Sequence, residues 1–462
     1  MRSKLDSADG TTHSATDRGI GTSPALAALL IGTFVGTVSN NIVNVPLNAI
    51  LDEYDASLGS GIFVVVGFLL TFAAAMPLAG WIGDRFGRRR VYCGALLGSA
   101  VCSLGAALAP TLPVLVAWRS LGGLAAAAFA PAVMGLIAWL FGPARRARAV
   151  GAWAAVNGLG QAVGPSMGGV ISDWWGWRWT FVPLIPIAII GYLATMKCVP
   201  KYPGRRMTLD GWSAASLTGG AALMILSITV ISEEGFPAWL KLIALGLGLA
   251  LLVLFVRRTR RSANPFVPIE LVLETRFLRS AFAAFVQMFA LGSTLLAVPL
   301  YLTDAGSSTS QAGLLLFVLP VTMTFAATVV GRIIDRVGPR IVMRAGLIML
   351  ACSQIGLAAL LRPSLQLSPA VLVAILVAAG LGIAMVQTPA AAGSTRSPAG
   401  AMGTGLGVFN LIRFGGTAVG AAWVGIALHA GAASYALLFG VAAVMVSAGF
   451  GISFAGRNPV DG

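Results

Sequence analysis

The 462-residue sequence is poor in charged residues and in the side chains that most often carry enzyme chemistry. Charged residues make up 10% of it, whereas an ordinary soluble protein has about 25%. Only two His and four Cys are present, and no two Cys form a CxxC pair, so a Cys/His zinc site has almost no material. The long apolar runs contain no His, Asp or Glu. We therefore expect no enzyme, no metal site and no other cofactor.

Hydrophobic residues are abundant instead. They make up 57% of the chain, and the mean hydropathy is +0.87, so a soluble protein is excluded. A helix that crosses about 30 Å of hydrocarbon needs about 20 apolar residues. Scanning for such runs predicts an all-α polytopic membrane protein with fourteen transmembrane segments. Numbered in chain order, the segments are 25–47, 61–82, 91–110, 112–139, 149–171, 178–198, 211–232, 238–256, 279–303, 311–331, 341–361, 368–388, 402–428 and 433–455.

The formal net charge of +15 has a topological explanation. With the N-terminus in the cytoplasm, 26 of the 31 Lys and Arg fall in cytoplasmic loops or tails, three fall outside and two lie within segments. An excess of Lys and Arg on the cytoplasmic side orients membrane helices. We therefore predict a multi-pass protein of the cell membrane with both termini in the cytoplasm, and no nucleic-acid partner.

An internal repeat divides the chain into two halves. The loop Gly80–Arg90 after segment 2 and the loop Gly331–Arg340 after segment 10 match at six positions, with a constant offset of 251. Two parallel halves indicate a transporter with a central site for a small molecule. We expect a monomer in contact with membrane lipid. The predicted divisions are a disordered cytoplasmic tail 1–24, an N-terminal six-helix bundle 25–198, two inserted segments 211–256, a cytoplasmic linker 257–278, a C-terminal six-helix bundle 279–455 and a tail 456–462.

Six motifs are spread over almost the whole chain. They are Gly80–Arg90, Arg119–Gly123, Ile42–Val45, Trp177–Phe181, Asn410–Gly416 and the segment 5 motif Gly151, Gly160, Gly164, Pro165, Gly168 and Gly169. These motifs resemble those of the major facilitator superfamily, in particular its fourteen-helix drug:proton antiporter branch, and the match in segment 5 is the most specific. The resemblance implies two six-helix bundles with two extra central helices, and efflux of hydrophobic or amphiphilic drugs driven by protons.

The two repeated loops are candidate gates. If the family geometry holds, Asp84 faces the eleventh helix, in the other half. A carboxylate there can sit at a helix N-terminus or pair with an Arg, and so latch the halves together. The alternative is that the Arg residues of the loop only anchor the topology. The candidate gating residues are Gly80, Gly83, Asp84, Arg85, Gly87, Arg88, Asp335 and Arg336.

Segment 5 has two interpretations that lead to the same expectation. Its glycines form a close-packing stripe, and Pro165 removes a backbone hydrogen bond and permits a bend. Ordinary small-residue packing explains this pattern, and so does a bent helix that seals one side of a cavity. We favour a conformational role over direct contact with substrate.

Polar residues within the segments are costly in a membrane and are candidates for the substrate or ion pathway. Arg119 and Arg413 are expected to face a buried pathway. For the amides, hydrogen bonding between helices is the competing explanation. The candidates are Ser39, Asn40, Asn41, Asn44, Arg119, Asn157, Gln161, Gln287, Gln387, Asn410 and Arg413.

The sequence departs from the antiporter branch at position 39. The branch usually carries an acidic residue there, and this chain has Ser39. Depth counting along the helices places position 39 opposite Arg119, which then lacks a carboxylate partner. We therefore expect drug export to be proton-linked only weakly, or through a site outside segment 1. The alternative is a carrier of organic anions or an amphiphilic metabolite, working in export or uptake with Arg119 and Arg413. A receptor or scaffold is a third possibility that gives no reason for two matched gating loops.

Overall fold

The computed structural model describes residues 22–56, 58–201, 203–205, 207–230, 237–262, 265–305, 309–361, 368–429 and 434–456. Within these ranges the regular structure is helical. The predicted tail 1–24 therefore lies almost wholly outside the described residues, as does most of 456–462.

Nine α-helices form the described part of the chain from Thr22 to Cys198. Segments 2 and 4 are each formed by two consecutive helices, and a 3₁₀ turn, Trp177–Phe181, precedes segment 6. The helices are α1 (Thr22–Asn41), α2 (Leu47–Glu53), α3 (Leu58–Ala74), α4 (Met76–Phe86), α5 (Arg88–Ala107), α6 (Leu112–Ala126), α7 (Phe129–Leu140), α8 (Pro143–Trp175) and α9 (Leu184–Cys198).

The rest of the chain adds nine more helices. The predicted segments 7 to 14 correspond to these helices in order, with the short α12 in the linker. They are α10 (Gly211–Thr229), α11 (Ala238–Arg261), α12 (Ile269–Val272), α13 (Thr275–Asp304), α14 (Thr309–Val337), α15 (Pro339–Leu360), α16 (Pro369–Arg396), α17 (Gly403–His429) and α18 (Ser434–Ile452).

Each predicted segment is helical, but length and hydropathy support a smaller number of spans. Eleven helices of the described chain are long and apolar enough to cross a membrane, or up to twelve if α3 and α4 count as one span bent by 49°. The bend falls just before Pro77, which lies in the first turn of α4, where its missing N–H costs no helical hydrogen bond. α1 and α8, with 20 and 33 residues, are not among these spans. The number fourteen stays a prediction.

Segment 1 is shorter than predicted. The helix α1 ends at Asn41 rather than at residue 47, and Asn44 lies exposed in the turn that follows. Pro46 has no N–H to donate to the carbonyl of Ile42, and the amide of Asn41 bonds to the Thr37 carbonyl at 2.8 Å. Both features stop the helix. Asn44 is therefore not within a transmembrane helix, which corrects its predicted placement.

The halves meet through α8 and α17. α8 packs against α14 and α1, and α17 packs against α4 and α13. The inserted helix α10 contacts α11, α3 and α17, and so touches both halves. This arrangement puts the ends of α4 and α14, which carry the repeated loops, beside the first turns of α17 and α8.

Candidate functional site

The first repeated loop carries a buried ion pair. Arg88 Nε donates to Asp84 Oδ1 at 2.9 Å, and both side chains are about 95% buried. The other carboxylate oxygen of Asp84 accepts from the backbone N–H of Gly403, the first residue of α17. Arg88 also donates to the carbonyl of Ala401 at 3.2 Å. The Asp84–Arg88 pair, called the gate pair below, thus joins the N-terminal half to the start of a C-terminal helix, where a carboxylate is favoured.

The partner helix of Asp84 differs from the prediction. The eleventh segment corresponds to α15, whereas Asp84 contacts α17, the thirteenth. The reason is backbone packing. A Cβ built on Gly80 lies 1.9 Å from the Gly403 carbonyl oxygen, so α4 and α17 approach at two glycines with no side chain between them. α15 packs instead on α16 and α18.

The second repeated loop makes the corresponding contact with the two halves exchanged, because its acidic residue lies in the C-terminal half and contacts a helix of the N-terminal half. Arg148 Nε donates to Asp335 Oδ2 at 2.9 Å and joins α8 to α14. A glycine contact again accompanies the pair, because a Cβ on Gly151 lies 2.9 Å from Ala327 O and 3.3 Å from Gly331 Cα. Unlike Arg88, Arg148 is 65% exposed.

The remaining loop residues shape these contacts. Gly87 and Gly338 have φ of 98° and 85°, a backbone conformation that favours glycine, and each lies between two helices. Arg85 donates to the Met207 carbonyl and lies 5.4 Å from the Trp81 ring centroid. A Cβ on Gly83 would touch Arg88 at 3.6 Å, and Arg336 is exposed at the end of α14.

The glycine stripe of segment 5 serves two neighbours rather than one. Gly151 faces α14 of the other half, whereas Gly160 and Gly164 face α1 and Gly168 faces the turn that follows α1. The closest approach is at Gly168, where a Cβ would lie 2.0 Å from the carbonyl oxygen of Ile42. Gly169 lies beside Val45, and Pro165 sits inside the continuous helix α8. α8 therefore packs tightly on a helix of its own half and on one of the other half.

A polar cluster lies between the halves around Arg413. Its Nη2 donates to Asn157 Oδ1 at 3.1 Å, across the interface between α17 and α8, and its Nη1 lies 3.5 Å from Asn410 Oδ1. Gln161 Nε2 donates to Asn157 Oδ1 at 2.9 Å, and Asn157 Nδ2 donates to Thr37 Oγ1 at 3.3 Å. We call Thr37, Trp153, Asn157, Gln161, Asn410 and Arg413 the central cluster.

Arg413 carries an uncompensated charge in this cluster. The residue is 1% exposed, and its Nε has no hydrogen-bond partner among the described residues. The guanidinium lies 5.1 Å from the ring centroid of Trp153 and 4.8 Å from that of Phe414, which gives some cation–π stabilisation. No salt bridge of the described chain includes Arg413, and a guanidinium does not lose its proton. The cluster can therefore accept an anionic or electron-rich group.

Arg119 is buried separately, inside the N-terminal bundle. Its Nη1 donates to the Ser39 carbonyl at 2.6 Å and its Nε to the Val64 carbonyl at 3.1 Å. The guanidinium also lies 4.5 Å from the Phe68 ring centroid. The predicted proximity of position 39 to Arg119 is thus present, but Ser39 contributes its backbone oxygen rather than its hydroxyl.

The other candidate amides do not join the central cluster. Asn41 bonds within α1, and Asn40 is half-buried at the end of that helix. Gln287 and Gln387 are buried on α13 and α16, and their side-chain amides have no partner among the described residues. These two residues are polar groups of the C-terminal half that are available to a ligand or to water.

Sequence reasoning missed three participants, namely Thr37, Arg148 and Gly403. Thr37 lies one turn before Asn41 on α1, and its hydroxyl gives no signal by itself. Arg148 was counted only as a cytoplasmic charge. Gly403 gives no signal either, because the repeat offset of 251 carries Gly151 to Met402 and not to a glycine.

A second charged group holds the loops at the opposite end of the N-terminal half from the gate pair. Glu53 accepts from Trp177 Nε1 at 2.6 Å and from Arg178, whose side chain also donates to the Ala109 carbonyl at 3.2 Å. The hydrogen bond from Arg178 lowers the pKa of the Glu53 carboxyl below its usual value. These contacts tie α2 to the 3₁₀ turn before α9 and involve the N-terminal half only.

Two repeat-related helical halves that meet across a polar cluster define the class of membrane transporters. The chain matches the family model of the Major Facilitator Superfamily over residues 29–421, and it belongs to this superfamily.

Relatives with efflux functions extend this assignment. The chain is 31% identical over 417 residues to the drug efflux pump JefA of Mycobacterium tuberculosis, covering 86% of this chain and 80% of that protein. It is 29% identical over 414 residues to the multidrug resistance protein Stp of the same species, with 88% and 75% covered. It is 29% identical to the methylenomycin A resistance protein of Streptomyces coelicolor, with 87% and 85% covered. The predicted superfamily and its drug-efflux branch are confirmed.

Solved structures share the fold. The human organic anion transporter MFSD10 (TETRAN) superposes with a TM-score of 0.70 at 16% identity, covering 93% of this chain and 99% of that one. The proton:xylose symporter XylE superposes with a TM-score of 0.67 at 15% identity, covering 92% and 94%. At these identities the likeness is one of fold.

Proposed function

We propose that the chain is a secondary active transporter that exports hydrophobic or amphiphilic drugs by alternating access. Fourteen spans with both termini in the cytoplasm would place the gate pair at the cytoplasmic side. The observation that carries the proposal is the central cluster, in which Arg413 and Asn157 join the halves beside the Trp153 and Phe414 rings. Aromatic faces next to a few polar groups suit an amphiphilic substrate. The efflux relatives support the direction of transport.

The test of export is accumulation in an efflux-deficient bacterial host. Cells that express the wild-type chain should hold less of a lipophilic cationic or neutral dye than cells with an empty vector. Arg413→Gln keeps a polar side chain and removes the charge. It should therefore change which dyes are exported, with a smaller effect on the amount of protein in the membrane. Equal dye content in expressing and empty-vector cells, for every dye tried, would count against export.

A second candidate function rests on Arg413 having no carboxylate partner among the described residues. A carrier of organic anions or an amphiphilic metabolite would use this charge to bind an acidic group. The same accumulation assay with a fluorescent carboxylate separates the two functions. Transport of the carboxylate that disappears in Arg413→Gln, without transport of neutral or cationic dyes, would favour the carrier of anions.

We expect the two termini and the linker to be cytoplasmic. Reporter tags at residues 5, 270 and 460 should read cytoplasmic, and a tag near residue 54 should read external, because 26 of 31 basic residues lie on one predicted side. The tag near residue 54 adjoins the Glu53 contacts, so the complementary measurement is labelling of a cysteine introduced at that position by an impermeant reagent. A cytoplasmic result at residue 54 contradicts the segment assignment.

We expect transport to be coupled only weakly to protons through segment 1. Drug transport into proteoliposomes should change by about a factor of two or less when a pH gradient is imposed on the wild type, because no carboxylate of the described residues pairs with Arg119. Ser39→Asp places a titratable group there and should increase the dependence. A steep response in the wild type that persists in Arg119→Ala would contradict the expectation.

A further inference from the structure

A small cavity adjoins Arg119 inside the N-terminal bundle. It has a volume of about 20 Å³ and is lined by residues of α1, α3, α5, α6 and the α9 region. A cavity needs about 10–15 Å³ to hold one water molecule. The space therefore suits a water or a monatomic ion and is far too small for a drug or an organic anion.

The polar groups around the cavity are donors. Arg119 is 3% exposed, and its Nη2 has no hydrogen-bond partner among the described residues. Ser99 Oγ on α5 is likewise buried without a partner. Ser39 and Ser103 also line the space, so three hydroxyl groups can point a hydrogen at the same ligand.

No ion pair among the described residues balances the charge of Arg119. The two hydrogen bonds that Arg119 makes go to neutral carbonyls, of Ser39 and Val64, and no described salt bridge includes Arg119. A buried guanidinium keeps its proton and destabilises the fold when it has no counter-charge. A bound anion would supply the missing charge and would satisfy Nη2 and the Ser99 hydroxyl together. Water would satisfy the hydrogen bonds but leave the charge.

We propose that this cavity is a chloride-binding site, in which Arg119 Nη2 and the hydroxyl groups of Ser99, Ser39 and Ser103 hold a small monovalent anion. The site goes beyond the proposed export function, because it lies within one half and apart from the central cluster. The bound chloride neutralises the charge of Arg119 inside the N-terminal bundle.

The direct test is equilibrium binding of ³⁶Cl⁻ to the purified full-length protein in a gluconate buffer. The wild type should bind about one chloride per chain, saturably, and bromide should compete while gluconate, which is too large for the cavity, should not. Arg119→Gln should abolish binding. Ser99→Ala should weaken it by about tenfold, the loss expected for one hydrogen bond to a charged group. Ser394→Ala is the matched control, because Ser394 is a buried serine on α16 that bonds to the Ala391 carbonyl, and it should bind chloride like the wild type.

A further variant keeps the test valid if Arg119→Gln fails to fold. Ser39→Asp supplies a carboxylate beside Arg119. This variant should remain folded and should not bind chloride. Its thermal midpoint should not depend on the chloride concentration. The proposal is overturned if the folded wild type shows no saturable chloride binding, in which case the cavity holds water. Binding that survives both Ser39→Asp and Ser99→Ala unchanged would also overturn it. Because no transport is measured, the result is independent of the proposed export.

Discussion

Replacing Asp84 with Asn is expected to reduce transport by about tenfold or more, since 1.4 kcal/mol of lost latch stabilisation is a factor of ten in the equilibrium between conformations. The side chain keeps its size, but it loses its negative charge and one of its two acceptor oxygens, so it cannot accept from both Arg88 and the Gly403 N–H. Removing one partner of a buried pair costs about 3–5 kcal/mol. The variant should therefore still insert into the membrane, with a lower thermal midpoint. Transport and membrane content are measured together in vesicles.

The repeat supplies the control for this variant. Asp335→Asn removes the corresponding carboxylate, but its pair with Arg148 is largely exposed, and such pairs contribute about 0–1 kcal/mol. Its transport should stay close to that of the wild type. Wild-type transport in Asp84→Asn would show that the loop only anchors the topology, and an equal loss in both variants would show that burial does not set the strength of the latch.

Gly80→Ala is expected to separate α4 from α17. The new Cβ would lie 1.9 Å from the carbonyl oxygen of Gly403, which is a backbone atom that no rotamer change can move. The helices must move apart, and the gate pair then loses the contact of Asp84 with α17. Transport should fall strongly. In a background without other cysteines, Leu406→Cys, at a position that is fully buried on α17, should become reactive toward a thiol reagent only in combination with Gly80→Ala.

Gly94→Ala is the matched control for that substitution. Gly94 lies on α5, and a Cβ there meets nothing within 4 Å. Ala is preferred to Gly inside a helix by about 1 kcal/mol. This variant should transport normally and be at least as stable as the wild type. Normal transport by Gly80→Ala as well would mean that transport does not need the close glycine contact between α4 and α17.

The sequence was sufficient for features that depend on local patterns. Hydropathy located each helical segment, and the loop repeat identified Asp84 and Asp335. Depth counting placed position 39 beside Arg119, because both residues lie on straight helices whose rise per residue is known.

Features that depend on how distant helices meet could not be predicted in the same way. The contact of Asp84 with α17 rather than with the eleventh segment follows from two glycines that are more than 300 residues apart. The bond between Arg413 and Asn157 depends on the relative rotation of α17 and α8, which no single-helix pattern fixes. The end of α1 at Asn41 depends on Pro46, and hydropathy does not register the missing N–H of a proline.

The unequal burial of the two repeat-related ion pairs has a consequence for the order of opening. At physiological ionic strength the screening length is about 8 Å, and it acts on exposed charges far more than on buried ones. The seam between α8 and α14, which the more exposed Arg148–Asp335 pair borders, is therefore expected to respond to salt more than the seam between α4 and α17. Although the halves derive from a repeat, we expect them to part first along α14 and to pivot about α17, and high salt should hasten the first movement more than the second.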